Sequence, residues 1–240
     1  MQHVPEINFT PVHPPLKVNK SFFRIGDQLI TLEKYGNTRE HNYVLVGLHN
    51  DAGFLSAGFT MVGSYRSGLI NLVNTNGRQV VADLFDQKLV FDPNNIFTSW
   101  GRREHLKKNH CWSKSSDEYV QQLARFVLNE IPADKTVVMF SDKKENIEDY
   151  MQEGTKEKQA KDVFLGKTLD ANTMFFTPDE EVFNRLKAQD LNVVLQQTRK
   201  IEDDGSLPVY CAKADRNYLT VTGGSNNTIE LMKKVHEVLQ

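Results

Sequence analysis

The sequence predicts an α/β fold of three layers, a mixed and mostly parallel sheet flanked by helices. Tyr43 to Leu48, YVLVGL, is a continuous apolar run with the length of a strand buried on both faces. Similar runs recur at Thr136 to Phe140, Asn192 to Gln196 and Tyr218 to Val221. Between them lie segments of helical spacing, and strands alternating with helices of this length build a sheet covered on both sides. With 240 residues and 39% hydrophobic content the chain can bury a substantial core. Against a prior of roughly 150 residues per domain, it reads as one domain over 21–240 behind an arm over 1–20.

The elements follow in order. Pro5, Pro11, Pro14 and Pro15 remove backbone donors and disfavour helix before them, so residues 1–20 form an extended surface arm. Phe22, Phe23 and Ile25, then Gly26-Asp27, then Leu29, Ile30 and Leu32 read as two strands joined by a tight turn. The strand at 43–48 ends in Gly47-Leu48-His49-Asn50-Asp51, and a helix rich in small residues runs from Ala52 to about Ser64. Leu69 to Phe91 alternates as short strands around an Asn76-Gly77 turn. Ser115 or Ser116 caps a helix whose face carries Tyr119, Leu123, Phe126 and Val127 and which stops before Pro132. Residues 141–161 are strongly charged and read as an exposed loop with a short helix. Thr177-Pro178-Asp179-Glu180 starts a helix with Val182, Phe183 and Leu186 on one face, and Ile229, Met232, Val235 and Val238 stripe the closing helix. No internal repeat occurs.

Composition narrows the function. Lys and Arg number 29 against 31 Asp and Glu, so no positive excess invites a nucleic acid. No run approaches the roughly 20 apolar residues of a membrane span. The start, MQHVPEINFTPVHPP, has no basic segment followed by an apolar one, so the chain reads as soluble and unexported. An exported mature form fits the same start, and localisation stays open, as does the oligomeric state. Cys111 and Cys211 are too few for a disulfide framework and too far apart for a Cys-x-x-Cys motif, leaving two thiols or one long-range disulfide.

In open α/β sheets ligands sit beyond the carboxyl ends of strands, and His49, Ser141 with Asp142, and Thr222 lie at such ends. Arg102 and Arg103 are read either as anion-binding forks or as solvated side chains, and His105 and His110 as surface residues. Gly223-Gly224-Ser225-Asn226 has the composition of an anion-binding turn or an ordinary helix start. Asp203-Asp204-Gly205 is a turn signal of a kind that sometimes holds calcium.

Four stretches resemble a bacterial group within the zinc carboxypeptidase and amidase-like superfamily: VLVGLHND at 44–51, FDPNNIFTSWG at 91–101, FFTPDEEVFNRLKAQDLNVVLQ at 175–196 and DDGSLPVY at 203–210. The resemblance implies a three-layer hydrolase fold whose single zinc cuts amide bonds in peptides, including cell-wall peptides. Such a site needs a His-x-x-Glu pair, a second His, an Arg and a Glu base, because zinc takes about three protein ligands and its water must lose a proton. This chain keeps His49 at the first position but has Ala52, Asn95, Phe140 and Thr222 where the Glu, Arg, second His and base are expected. Methyl and benzyl groups donate no electron pair to zinc, and threonine is no general base.

The reading is therefore a catalytically inactive relative without metal or cofactor that binds a peptide or protein in a crevice lined by His49, Asp51, Asn95, Arg102, Asp142 and Thr222. The alternative is an active zinc-dependent peptidase or amidase using His49 with Asp51 or Asp142. A third possibility is an α/β binding domain of another origin.

Overall fold

The computed structural model describes residues 17–49, 51–74, 77–141, 143–223 and 227–240. Nine strands form one sheet: β1 (Val18–Ile25), β2 (Gln28–Tyr35), β3 (Tyr43–Gly47), β4 (Leu69–Val73), β7 (Thr136–Ser141), β8 (Ala160–Phe164), β9 (Met174–Thr177), β10 (Val193–Gln196) and β11 (Tyr218–Thr222). Their spatial order is β1-β2-β4-β3-β7-β11-β9-β10-β8, and β5 (Val80–Leu84) pairs with β6 (Gln87–Phe91) in a separate hairpin.

The sheet is mixed but not mostly parallel. Four adjacent pairs are parallel (β4 with β3, β3 with β7, β7 with β11, β9 with β10) and four are antiparallel (β1 with β2, β2 with β4, β11 with β9, β10 with β8). The parallel core is where apolar runs are continuous, since both faces are covered: all five residues of β3 and all five of β11 are buried. Antiparallel pairing enters through a tight turn at β1–β2 and through β8 and β9, which sequence periodicity did not reveal.

Alternation along the central strands divides the core. Val44, Val46, Val137, Met139 and Tyr218 face a layer made by α2 (Ser99–Lys108), α3 (Lys114–Glu130), α5 (Leu207–Lys213) and the β5–β6 hairpin. Tyr43, Leu45, Val138, Leu219 and Val221 face α1 (Ala52–Tyr65), α4 (Glu180–Ala188) and α6 (Thr228–Leu239). Under the charged segment after β7, Ile147 and Tyr150 pack with Met174, Phe176 and Val194 as a third small cluster.

Several expectations are corrected. Val18 to Lys20, assigned to the arm, belong to β1, while the rest of the arm through residue 16 lies outside the described residues. The α3 cap is Ser113, whose hydroxyl accepts the Ser116 N–H while the Ser116 hydroxyl accepts the Ser113 N–H. Thr177 ends β9, and Asp179 caps α4, accepting N–H bonds from Glu181 and Val182. Ile229, placed on the buried stripe of α6, is 37% exposed; Leu231 and Leu239 complete the stripe instead. The Asn76 and Gly224-Ser225-Asn226 readings lie outside the described residues. No described helix is long and apolar enough to cross a membrane. Cys111 and Cys211 are both buried free thiols, which settles the choice left open by their spacing.

Candidate functional site

The parallel strands β3, β7 and β11 end on one side of the sheet, and their ends open into a cavity of about 540 Å³. His49, Asp51, Phe140, Ser141 and Thr222 line it. Across from them stand the residues that lead into α5 and the segment after β7, including Asp204, Leu207, Lys143 and Tyr150.

His49 is the best-held polar group of the wall. Its Nε2 lies 2.7 Å from Asp92 Oδ1, and its Nδ1 lies 3.4 Å from the Asn94 side-chain amide nitrogen. The tautomer consistent with both contacts donates from Nε2 and keeps a lone pair on Nδ1. Asp92 also accepts the Asn94 N–H at 2.8 Å and the Arg78 Nε–H at 3.1 Å. Burial pushes the Asp92 carboxyl up, but the hydrogen bonds from His49, Asn94 and Arg78 outweigh it and hold the group down at about 2. The Asp92 backbone N–H in turn donates to His105 Nε2 at 2.8 Å. Burial holds the His105 imidazole below its ordinary value, so it stays a neutral acceptor. His105, read as a surface residue, is thus a half-buried brace two steps behind His49, whereas His110 is exposed.

The other expected positions have separate fates. Asp51 lines the cavity as the cap of α1, its carboxylate accepting the Phe54 N–H at 2.7 Å. Ala52 begins that helix, is exposed and does not line the cavity. Asn95 also stands off the wall: its amide donates to the Asp204 carbonyl at 2.7 Å, while its neighbour Asn94 reaches the cavity. Arg102 is 3% exposed and serves packing, donating from Nε to Asp117 at 2.8 Å and from Nη1 to the Ile96 carbonyl at 3.1 Å. It forms no part of the crevice, and Arg103 is exposed on the same helix. Thr222 is 2% exposed, with its hydroxyl 3.4 Å from the Met174 carbonyl. Asp142 lies outside the described residues.

The floor and far wall were not anticipated. Phe176, Thr220 and Gln196 line the cavity from β9, β11 and β10. Gln196 accepts the Tyr218 hydroxyl at 2.7 Å, while the Thr220 hydroxyl is buried without a protein partner. Tyr150 donates to Glu145 at 3.1 Å, and burial with that carboxylate beside it drives its phenol far above the usual range. At the rim Lys143 pairs with Asp204 and Lys156 with Glu145, while Glu202 lines the cavity as an exposed carboxylate. Asp203, in the same turn, accepts from Thr98, Lys213 and the Gly205 N–H, so this acidic turn is spent on internal bonds. Phe176 and Gln196 lay in one stretch that had been singled out, and Asp203 and Asp204 in another, but nothing in local spacing marks Phe176, Gln196 or Asp204 as facing a cavity.

A zinc ion needs about three protein donors with one position open. His49 has an imidazole oriented by a carboxylate, as second-sphere partners orient metal ligands. Its companions fail: Ala52 and Phe140 have no donor atom, and Asp51 is engaged as a helix cap. Among the described residues no group of three or more His, Cys, Asp or Glu side chains is placed to hold a metal. The described residues do not fit zinc.

No protein-family model matches the sequence, and no curated protein matches it. Among solved structures the chain is similar to the murein-tripeptide amidase MpaA from Escherichia coli O157, with a TM-score of 0.43 at 15% identity over 88% of this chain and 87% of that one.

Proposed function

We propose that this chain is a non-catalytic relative of the zinc carboxypeptidases that binds a peptide in the cavity at the ends of β3, β7 and β11. The observation that carries the reading is an open cavity of about 540 Å³ with one carboxylate-oriented imidazole, His49, on its wall and no described group of three potential metal ligands. The wall suits a peptide: Phe140, Phe176 and Leu207 offer apolar surface, and Thr220, Gln196 and His49 offer hydrogen-bonding groups. Four of its rim charges are paired with one another and Glu202 stands exposed beside them, so a ligand gains mainly from shape and hydrogen bonds.

The test is binding of a library of short peptides, read with mass analysis of what is recovered. Ile201 is a half-buried residue of the wall that also packs against the core, so Ile201→Trp narrows the cavity and is compared with the parent once its urea unfolding has been shown to match. Peptides recovered intact, with affinity reduced about tenfold or more in Ile201→Trp, are the expected result. Recovery of cleaved products that require added metal overturns the reading in favour of an active amidase using His49.

A further inference from the structure

At the opposite end of the sheet from the cavity, four aromatic rings meet where α6 finishes. Tyr43, at the start of β3, is fully buried, and its hydroxyl lies 2.7 Å from Ser67 Oγ and 2.8 Å from His236 Nδ1. The His236 ring packs against Tyr65 with centroids 4.2 Å apart, and His41 stands edge-on to it at 5.3 Å. His41 itself stacks on Tyr43 at 5.5 Å and bonds the Tyr65 carbonyl. The last turn of α6 is thereby tied to β3, to the connection before it and to the end of α1.

We infer that His236 and His41 form a proton-operated latch, which releases the last turn of α6 from β3 and α1 when the pair takes up a proton below neutral pH.

At Nδ1 no hydrogen bond need be lost, whereas Nε2 faces the Gln240 side-chain amide nitrogen, whose N–H bond to the ring a proton on Nε2 would displace. A protonated His236 could donate from Nδ1 to the Tyr43 oxygen, with the Tyr43 hydroxyl turning to Ser67. The cost is a charge in a buried aromatic setting beside a second imidazole. The surrounding groups do little to offset it. From α4, Arg185 approaches as a cation, donating to the Val238 carbonyl at 2.9 Å and the Gln240 carbonyl at 3.1 Å while pairing with Glu181. Burial pushes the Tyr43 phenol up to about 12, so it stays neutral, and Tyr65 contributes its ring face. On α6, Lys233 pairs with Glu230, and Glu237, the one carboxylate acting directly on His236, is paired with Lys234. Burial first, and then His41, hold His236 below its ordinary value of 6.5, with Glu237 opposing.

The sign follows from linkage. Undocked and solvated, His236 takes a proton more readily than docked, so the docked turn is fully favoured above about pH 6.5 and loses ground as pH falls. Because α6 packs along α1, whose cap Asp51 lies on the cavity wall, release at this end bears on the helix that frames the site.

Hydrogen exchange followed by mass spectrometry tests this on the intact chain. After correction for intrinsic rates, exchange in residues 228–239 should rise about fivefold or more between pH 7.5 and pH 5.5, while 136–141 stay protected. His236→Asn keeps an acceptor near the Nδ1 position and should flatten that pH dependence; persistence of the rise in this variant overturns the latch. Independently of any variant, a His236 ring titration in the unmodified protein should lie below that of a solvated imidazole. A value at or above it overturns the inference.

Discussion

His49 and Asp92 set the chemistry available at single residues. The imidazole is fixed by a carboxylate that is itself fixed by Arg78 and by the Asn94 backbone. Asp92 was visible in FDPNNIFTSWG but unremarked, because its role depends on a fold that brings residue 92 to residue 49. Its depressed carboxyl gives a pH signature. Stability from Asp92 is present above about pH 4 and is lost as pH falls toward its folded value of about 2. Allowing for solvent screening, Asp92→Asn should cost about 1 kcal/mol at pH 7, a difference that narrows below pH 4. Urea unfolding at neutral and acid pH measures it; an unchanged difference at pH 3 would show that the ion pairs contribute nothing.

Among the elements, the junction between the turn before α5 and the start of α2 is the tightest described here. Gly205 has φ +82°, and a Cβ there would fall 2.5 Å from the Asn95 carbonyl oxygen; a Cβ on Gly101 would fall 2.0 Å from the Gly205 nitrogen. The Phe97 N–H donates to the Gly205 carbonyl at 2.8 Å, so FDPNNIFTSWG and DDGSLPVY are two halves of one contact. Gly205→Ala should therefore destabilise the fold by about 2–4 kcal/mol in chemical unfolding, well beyond an exposed glycine replacement. A loss under about 0.5 kcal/mol would mean that the turn adapts freely. The sequence made both motifs conspicuous without showing that they touch. It also concealed α2, since SWGRREHLKK offers Leu106 as its one buried aliphatic residue and its buried Arg102 breaks the apolar periodicity by which helices are recognised. Phe175 and Phe176, left without an element ahead of the helix start at Thr177, form β9, which Pro178 and Asp179 separate from α4.

For the whole molecule, the buried central strands and the amphipathic α3 and α6 were legible because each carries a complete periodic signal. Strand direction was not, because antiparallel β8 and β9 look locally like any short run, and the even mixture of the sheet follows from crossovers over long separations. The cavity location at strand ends was legible from topology alone, while its floor of Phe176, Thr220 and Gln196 depends on three strands that meet only in the fold. The account's central claim is that this architecture retains a pocket but not a zinc site. Metal content of the purified protein after zinc loading and exhaustive dialysis, run beside His49→Ala, tests it most directly. The account predicts no stoichiometric zinc in either protein; about one zinc per chain, lost in His49→Ala, would contradict it.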